Sequence, residues 1–149
     1  MPTKRYALVD AAVHPDAAAS YRHVTGGVEC AALLPPGLSP RGAERGAWLM
    51  RIDHPRPAQA WLRQLQAVDA HGISVLASAR AFDVVMMHLQ MQLRLRSNEG
   101  GPGLLRFHDP RVLAHLHHFI DPQRMEELFA PFSEWRTCDG DYLHAGAVA

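Results

Sequence analysis

The stretch Leu104-Leu105-Arg106-Phe107-His108-Asp109-Pro110-Arg111-Val112-Leu113 changes its spacing halfway. Leu104, Leu105 and Phe107 are strand-like apolar residues, whereas Val112, Leu113, Leu116, Phe119 and Ile120 recur at the helical period. Asp109 suits a helix N-cap, because its carboxylate can accept an unpaired backbone N–H. Pro110 suits the first helical position, where no N–H is needed. The chain must therefore turn from strand to helix at this point. Upstream, Gln92 to Ser97 and Gly103 to Phe107 flank Asn98-Glu99-Gly100-Gly101-Pro102. That is a hairpin signal with a loop longer than the tight two-residue turn.

The same switching recurs along the chain. Arg5 to Asp10 reads as a first strand buried on both faces, and His14-Pro15-Asp16 opens an Ala-rich helix that fades near Gly26-Gly27. Val28 to Leu34 and Ala47 to Ile52 read as strands, separated by the Pro- and Gly-rich loop Pro35 to Gly42. Pro57 starts a helix with Trp61, Leu62, Leu65 and Val68 inward and Gly72 as its stop. Ile73 to Ser78 is a strand, and Ser78 is placed to cap a helix with Phe82, Val85, Met86, Leu89 and Leu93 on its buried stripe. Asp121-Pro122 caps a helix carrying Met125, Leu128 and Phe129, and Pro131 to Arg136 supplies a last edge strand. Strands alternating with helices predict an α/β fold: a single-domain mixed sheet flanked by helices, with a β-hairpin leading into the motif helix. One domain over residues 1–149 is expected, with its core at about 5–136 and a frayed tail at 137–149.

Fifteen basic and fifteen acidic side chains balance, which argues against a general nucleic-acid binder. No window approaches the ~20 apolar residues of a membrane span, and no signal-like apolar run follows Lys4-Arg5. A cytoplasmic protein without nucleic-acid or membrane partners is expected.

Several constellations invite a chemical reading. His115 and His118 have i, i+3 spacing, with His117 close by and His88 and His108 as possible company. No carboxylate lies among the three, so no physiological metal site is expected from them. Asp10, Asp53 and Asp109 each follow a strand, where open α/β sheets bind ligands. Three such carboxylates would suit a small metal-dependent hydrolase or phosphatase, and the plainer reading is that each caps a helix or turn. Cys30 and Cys138 show no metal-ligand spacing, and Asp139 would raise the Cys138 pKa rather than activate the thiol. No phosphate loop, nucleophile elbow or two-histidine zinc helix is present. No catalytic residue and no cofactor are expected. Met87 and Met91 share a second helix face at i, i+4, either as part of a wide buried stripe or as a partner groove.

Arg106-Phe107-His108-Asp109-Pro110-Arg111-Val112-Leu113 resembles the R-F-Y-D-P-R-V-L signature of the domain-of-unknown-function 4123 family. Tyr6-Ala7-Leu8-Val9-Asp10-Ala11-Ala12 is similar to that family's Y-A-L-L-D-G-A opening strand, and Ala47 to Ile52 to its G-P-Y-L-V-x-L strand. His88-Leu89-Gln90 resembles an H-L-R helix end, and Leu128-Phe129-Ala130-Pro131-Phe132 an F-G-P segment. The chain departs from the pattern at His108 for tyrosine, at Ala11 and Ala130 for glycine, and at Ala47-Trp48 for Pro-Tyr.

The resemblance implies a non-enzymatic adaptor or chaperone of the bacterial type VI secretion system. Its partners would be a toxin effector and the spike protein (VgrG-type) onto which the effector is loaded. Arg106, Asp109 and Arg111 are then expected to form a structural ion network, with direct partner contact as the alternative. Met87, Met91, Phe132 and Trp135 are the candidate anchors of a partner surface.

Overall fold

Lys4–Asp10, the first strand (β1), is the one against which the sheet is assembled. The computed structural model describes residues 2–27, 29–34, 46–94, 106–118 and 120–143. Within them lie β2 (Cys30–Ala32), β3 (Ala47–Arg51), β4 (Ile73–Ser78), β5 (Phe132–Thr137) and β6 (Gly140–Leu143). The helices are α1 (Ala17–Thr25), α2 (Pro57–Val68), α3 (Phe82–Arg94), α4 (Pro110–Ala114) and α5 (Pro122–Phe129). A single 3-10 turn, Leu116–His118, follows α4. The sheet order is β2-β3-β1-β4-β5-β6.

This is the expected α/β sheet flanked by helices, with a particular strand logic. Every ladder is antiparallel. β3 and β4, joined through α2, both run opposite to β1 and hence parallel to each other. β1 is inserted between them, so the crossover unit is split and its two strands never pair. The unit β1–α1–β2 is split in the same way by β3.

Alternation along β1 divides the core. Tyr6 and Leu8 point to one face, where they join Leu76, Leu89, Phe107, Leu128 and Trp135 in a cluster under α3, α4 and α5. Ala7 and Val9 point to the other, where they join Tyr21, Met50, Trp61 and Ile73 under α1 and α2. The second face is pinned by polar tips: Tyr21 Oη donates to the Arg51 carbonyl at 2.6 Å, and Trp61 Nε1 donates to Ser20 Oγ at 2.8 Å.

Some boundaries move. Gln92, Leu93 and Arg94 belong to the last turn of α3 and not to a strand, because Leu93 continues the Val85–Leu89 stripe into the core. Arg106 and Phe107 run into a turn, and the rest of the expected hairpin lies outside the described residues. Val68 ends α2 and is 82% exposed, unlike Trp61 and Leu62. Gly72, with φ +75°, shapes the entry to β4 rather than stopping α2, which already ends at Val68 with the extended Asp69 as its C-cap. Ser78 Oγ accepts the Arg80 N–H at 3.0 Å and donates to the Pro131 carbonyl at 2.7 Å, turning the chain before α3 begins. β5 is an internal strand, since β6 pairs with it, and the ordered sheet runs on to Leu143. No helix among the described residues is long and apolar enough to cross a membrane.

Candidate functional site

The motif is a short bend that converts into α4. Asp109 has extended backbone (φ −88°, ψ 117°), and Pro110 follows at the first helical position. Asp109 Oδ1 accepts the Arg111 N–H at 2.9 Å, as an N-cap should. The same carboxylate takes Arg111 Nε at 3.1 Å and Nη2 at 2.9 Å, a fork-to-carboxylate pair. The Arg111 hydrogen bonds hold the Asp109 carboxyl below its ordinary range against the opposing effect of burial. Arg106 contributes its backbone carbonyl, which accepts the Asp109 N–H at 3.0 Å, while the residue itself is exposed. The expected network is thus built mainly by Asp109 and Arg111.

Phe107 and His108, between those charges, are buried. The Phe107 ring meets Trp135 edge-on at 5.9 Å. His108 sits near two carboxylates, Asp109 and the buried Asp10 at the end of β1. Burial pushes the His108 imidazole below its usual value; the charge of Asp10 works against that and the charge of Arg106 reinforces it. His108 Nδ1 is buried with no hydrogen-bond partner among the described residues. Asp10 Oδ1 accepts the Ala12 N–H at 2.9 Å, so this carboxylate also closes a turn.

The three strand-end aspartates do not converge. Asp53 Oδ1 accepts the Arg5 N–H at 3.1 Å, which places it at the opposite end of β1 from Asp10. Five strand steps separate those ends, roughly 17 Å, far beyond the reach of one metal ion. Asp53 is instead held by Arg51, through Nε at 2.9 Å and Nη2 at 3.2 Å.

Three of the histidines stay together, and His88 is engaged elsewhere. His115 and His118 rings lie 5.8 Å apart and His117 and His118 rings 4.1 Å apart, beside the motif helix. His88 Nε2 donates to the Leu128 carbonyl at 2.8 Å, fastening α3 to α5.

Of the four candidate surface anchors, two are corrected. Phe132 and Trp135 are buried and pack edge-on against each other at 5.3 Å. Residues three apart on a regular strand face opposite sides. A register shift beside Ala77/Ser78 reorients the strand there, so both rings enter the same core. Met87 and Met91 are 63% and 65% exposed, and Val84, 44% exposed, extends their ridge along α3. Val84 was missed in the sequence, although its i, i+3, i+7 spacing with the two methionines was visible there.

Residues 5–127 match the family described as Domain of unknown function (DUF4123). No curated protein and no solved structure matches the chain.

Proposed function

Since the chain belongs to the DUF4123 family, we propose that it is a non-enzymatic adaptor of a bacterial type VI secretion system. It binds a toxin effector in the cytoplasm of the producing cell and helps load it onto the spike protein. The observation that carries this reading is the Val84–Met87–Met91 ridge, an exposed apolar line on a helix whose opposite side is locked into the core. Unbranched, polarizable methionine side chains adapt to an apolar partner surface, and a preformed helix spares the backbone part of the ordering cost. The motif supports the ridge indirectly, since Phe107 packs into the cluster that holds Val85 and Leu89. The rival hydrolase reading loses ground because Asp53 stands apart from Asp10 and Asp109.

The test is co-expression with the products of neighbouring genes, followed by size-exclusion chromatography. A stable complex with a toxin-like neighbour or a spike protein is expected, and Met87→Asp/Met91→Asp should disrupt it while leaving the melting curve intact. Survival of the complex in that variant moves the contact off α3. Absence of a complex with every neighbour removes the adaptor reading.

A further inference from the structure

The connection between α2 and β4 and the turn between β5 and β6 meet at one end of the sheet. Register dictates this: Val75 pairs with Arg136, so residues just before β4 face residues just after β5. His71, Cys138 and Asp139, all exposed, are thereby gathered with one ligand atom each, all within 4.8 Å of one another. Both supports are braced. The His71 N–H donates to Asp69 Oδ1 at 2.9 Å, and His71 Nδ1 lies 2.8 Å from the same oxygen. Thr137 Oγ1 accepts the Asp139 N–H at 3.1 Å, holding the turn that carries the other two groups.

The Asp69 carboxylate can only accept, so His71 Nδ1 carries a proton, and in the neutral ring Nε2 keeps a lone pair for an ion. A carboxylate on one ring nitrogen and an ion on the other is the arrangement by which metal sites fix a histidine. We propose that His71 Nε2, Cys138 Sγ and an Asp139 carboxylate oxygen bind one divalent ion of the zinc class. The donor set selects the class, because thiolate and imidazole favour zinc over calcium or magnesium. Tetrahedral bonds of zinc length put ligand atoms about 3.5 Å apart, a closure that exposed side chains reach by rotation. The Cys138 proton leaves to solvent as the metal–sulfur bond forms. The fourth position stays open, to water or to a donor atom from a partner. The site lies at the same end of the sheet as Asp10, since Val9 pairs with Ile73.

The experiment is a zinc titration of the reduced, tag-free full chain against a chromophoric chelator, with cobalt as a spectroscopic substitute. One equivalent is expected to bind, and the cobalt form should show a thiolate charge-transfer band. His71→Ala and Cys138→Ser should each weaken zinc binding at least about 100-fold, and Asp69→Asn about 10- to 100-fold. The band should vanish in Cys138→Ser. Thermal melts of the metal-free variants, altered only at exposed positions, check that they fold. Binding that persists in both His71→Ala and Cys138→Ser, as on the His115–His118 surface, overturns the proposal. So does the absence of stoichiometric binding to the unaltered chain.

Discussion

Asp109→Ala removes three hydrogen bonds at once, and their environments say which one matters. The bond from the Arg111 backbone N–H satisfies a helix end, and cap losses of this kind cost about 0.5–2 kcal/mol. The two bonds from the guanidinium come from a side chain that is 89% exposed, where solvent screening leaves little net stabilisation. The expected loss is therefore about 1–2 kcal/mol, nearly all from the cap, or roughly 3–6 °C in melting temperature. Asp109→Asn keeps an oxygen for the N–H and should recover at least about half of that loss. Arg111→Ala should leave the midpoint almost where it was. Urea denaturation followed by tryptophan fluorescence, alongside thermal melts, measures all three. The pH dependence has a definite sign. The folded Asp109 carboxyl is held below its ordinary value, so this contribution is full above about pH 4 and is lost as pH falls through the folded value. The gap between parent and Asp109→Ala should narrow in acid. If Arg111→Ala destabilises as much as Asp109→Ala, the ion pair and not the cap holds the motif. If Asp109→Ala melts like the parent yet loses the partner, the motif is a contact surface.

Gly72→Ala should cost more than about 1 kcal/mol, because φ is +75° and an added Cβ would stand 2.9 Å from Val13 Cβ and Cγ2. Gly26→Ala is the control: its φ is +84° but its Cβ would meet open space, so urea midpoints should fall less. His108 is held below the usual histidine value by burial, so the unfolded chain takes up a proton near pH 6.5 that the folded chain refuses. Stability is then full above that pH and falls as pH drops toward the folded value. His108→Phe should flatten the change in urea midpoint between about pH 7.5 and 5.5. An unaltered slope would assign the acid sensitivity to another group.

Local chemistry was readable in the sequence. Asp109-Pro110 and Asp121-Pro122 announce helix starts through a carboxylate and a ring that act on their own neighbours, and both caps form as read. The α3 stripe was readable because Val85, Met86, Leu89 and Leu93 repeat at the helical period. Features set by pairing were not. Asp53 shares its strand-end position with Asp10, yet the insertion of β1 between β3 and β4 sends the two to opposite ends. Phe132 and Trp135 read as surface anchors, and the register shift in β5 turns both into the core. His71 meets Cys138 and Asp139 through the β4–β5 ladder, a relation that no short sequence spacing can encode.

The insertion of β1 also sets a timetable. Tyr6 pairs with Arg51 on one side and Leu76 on the other, so β1 finds its last neighbour only once β4 exists. At 5–20 residues per second, a ribosome needs roughly 3–14 s to go from the end of β1 to the end of β4. Closing such long loops is slow, and until β4 exists an apolar strand waits with at least one edge open. The chain is therefore most exposed to aggregation while the stretch from β1 to β4 is being made, and a holding chaperone would act there.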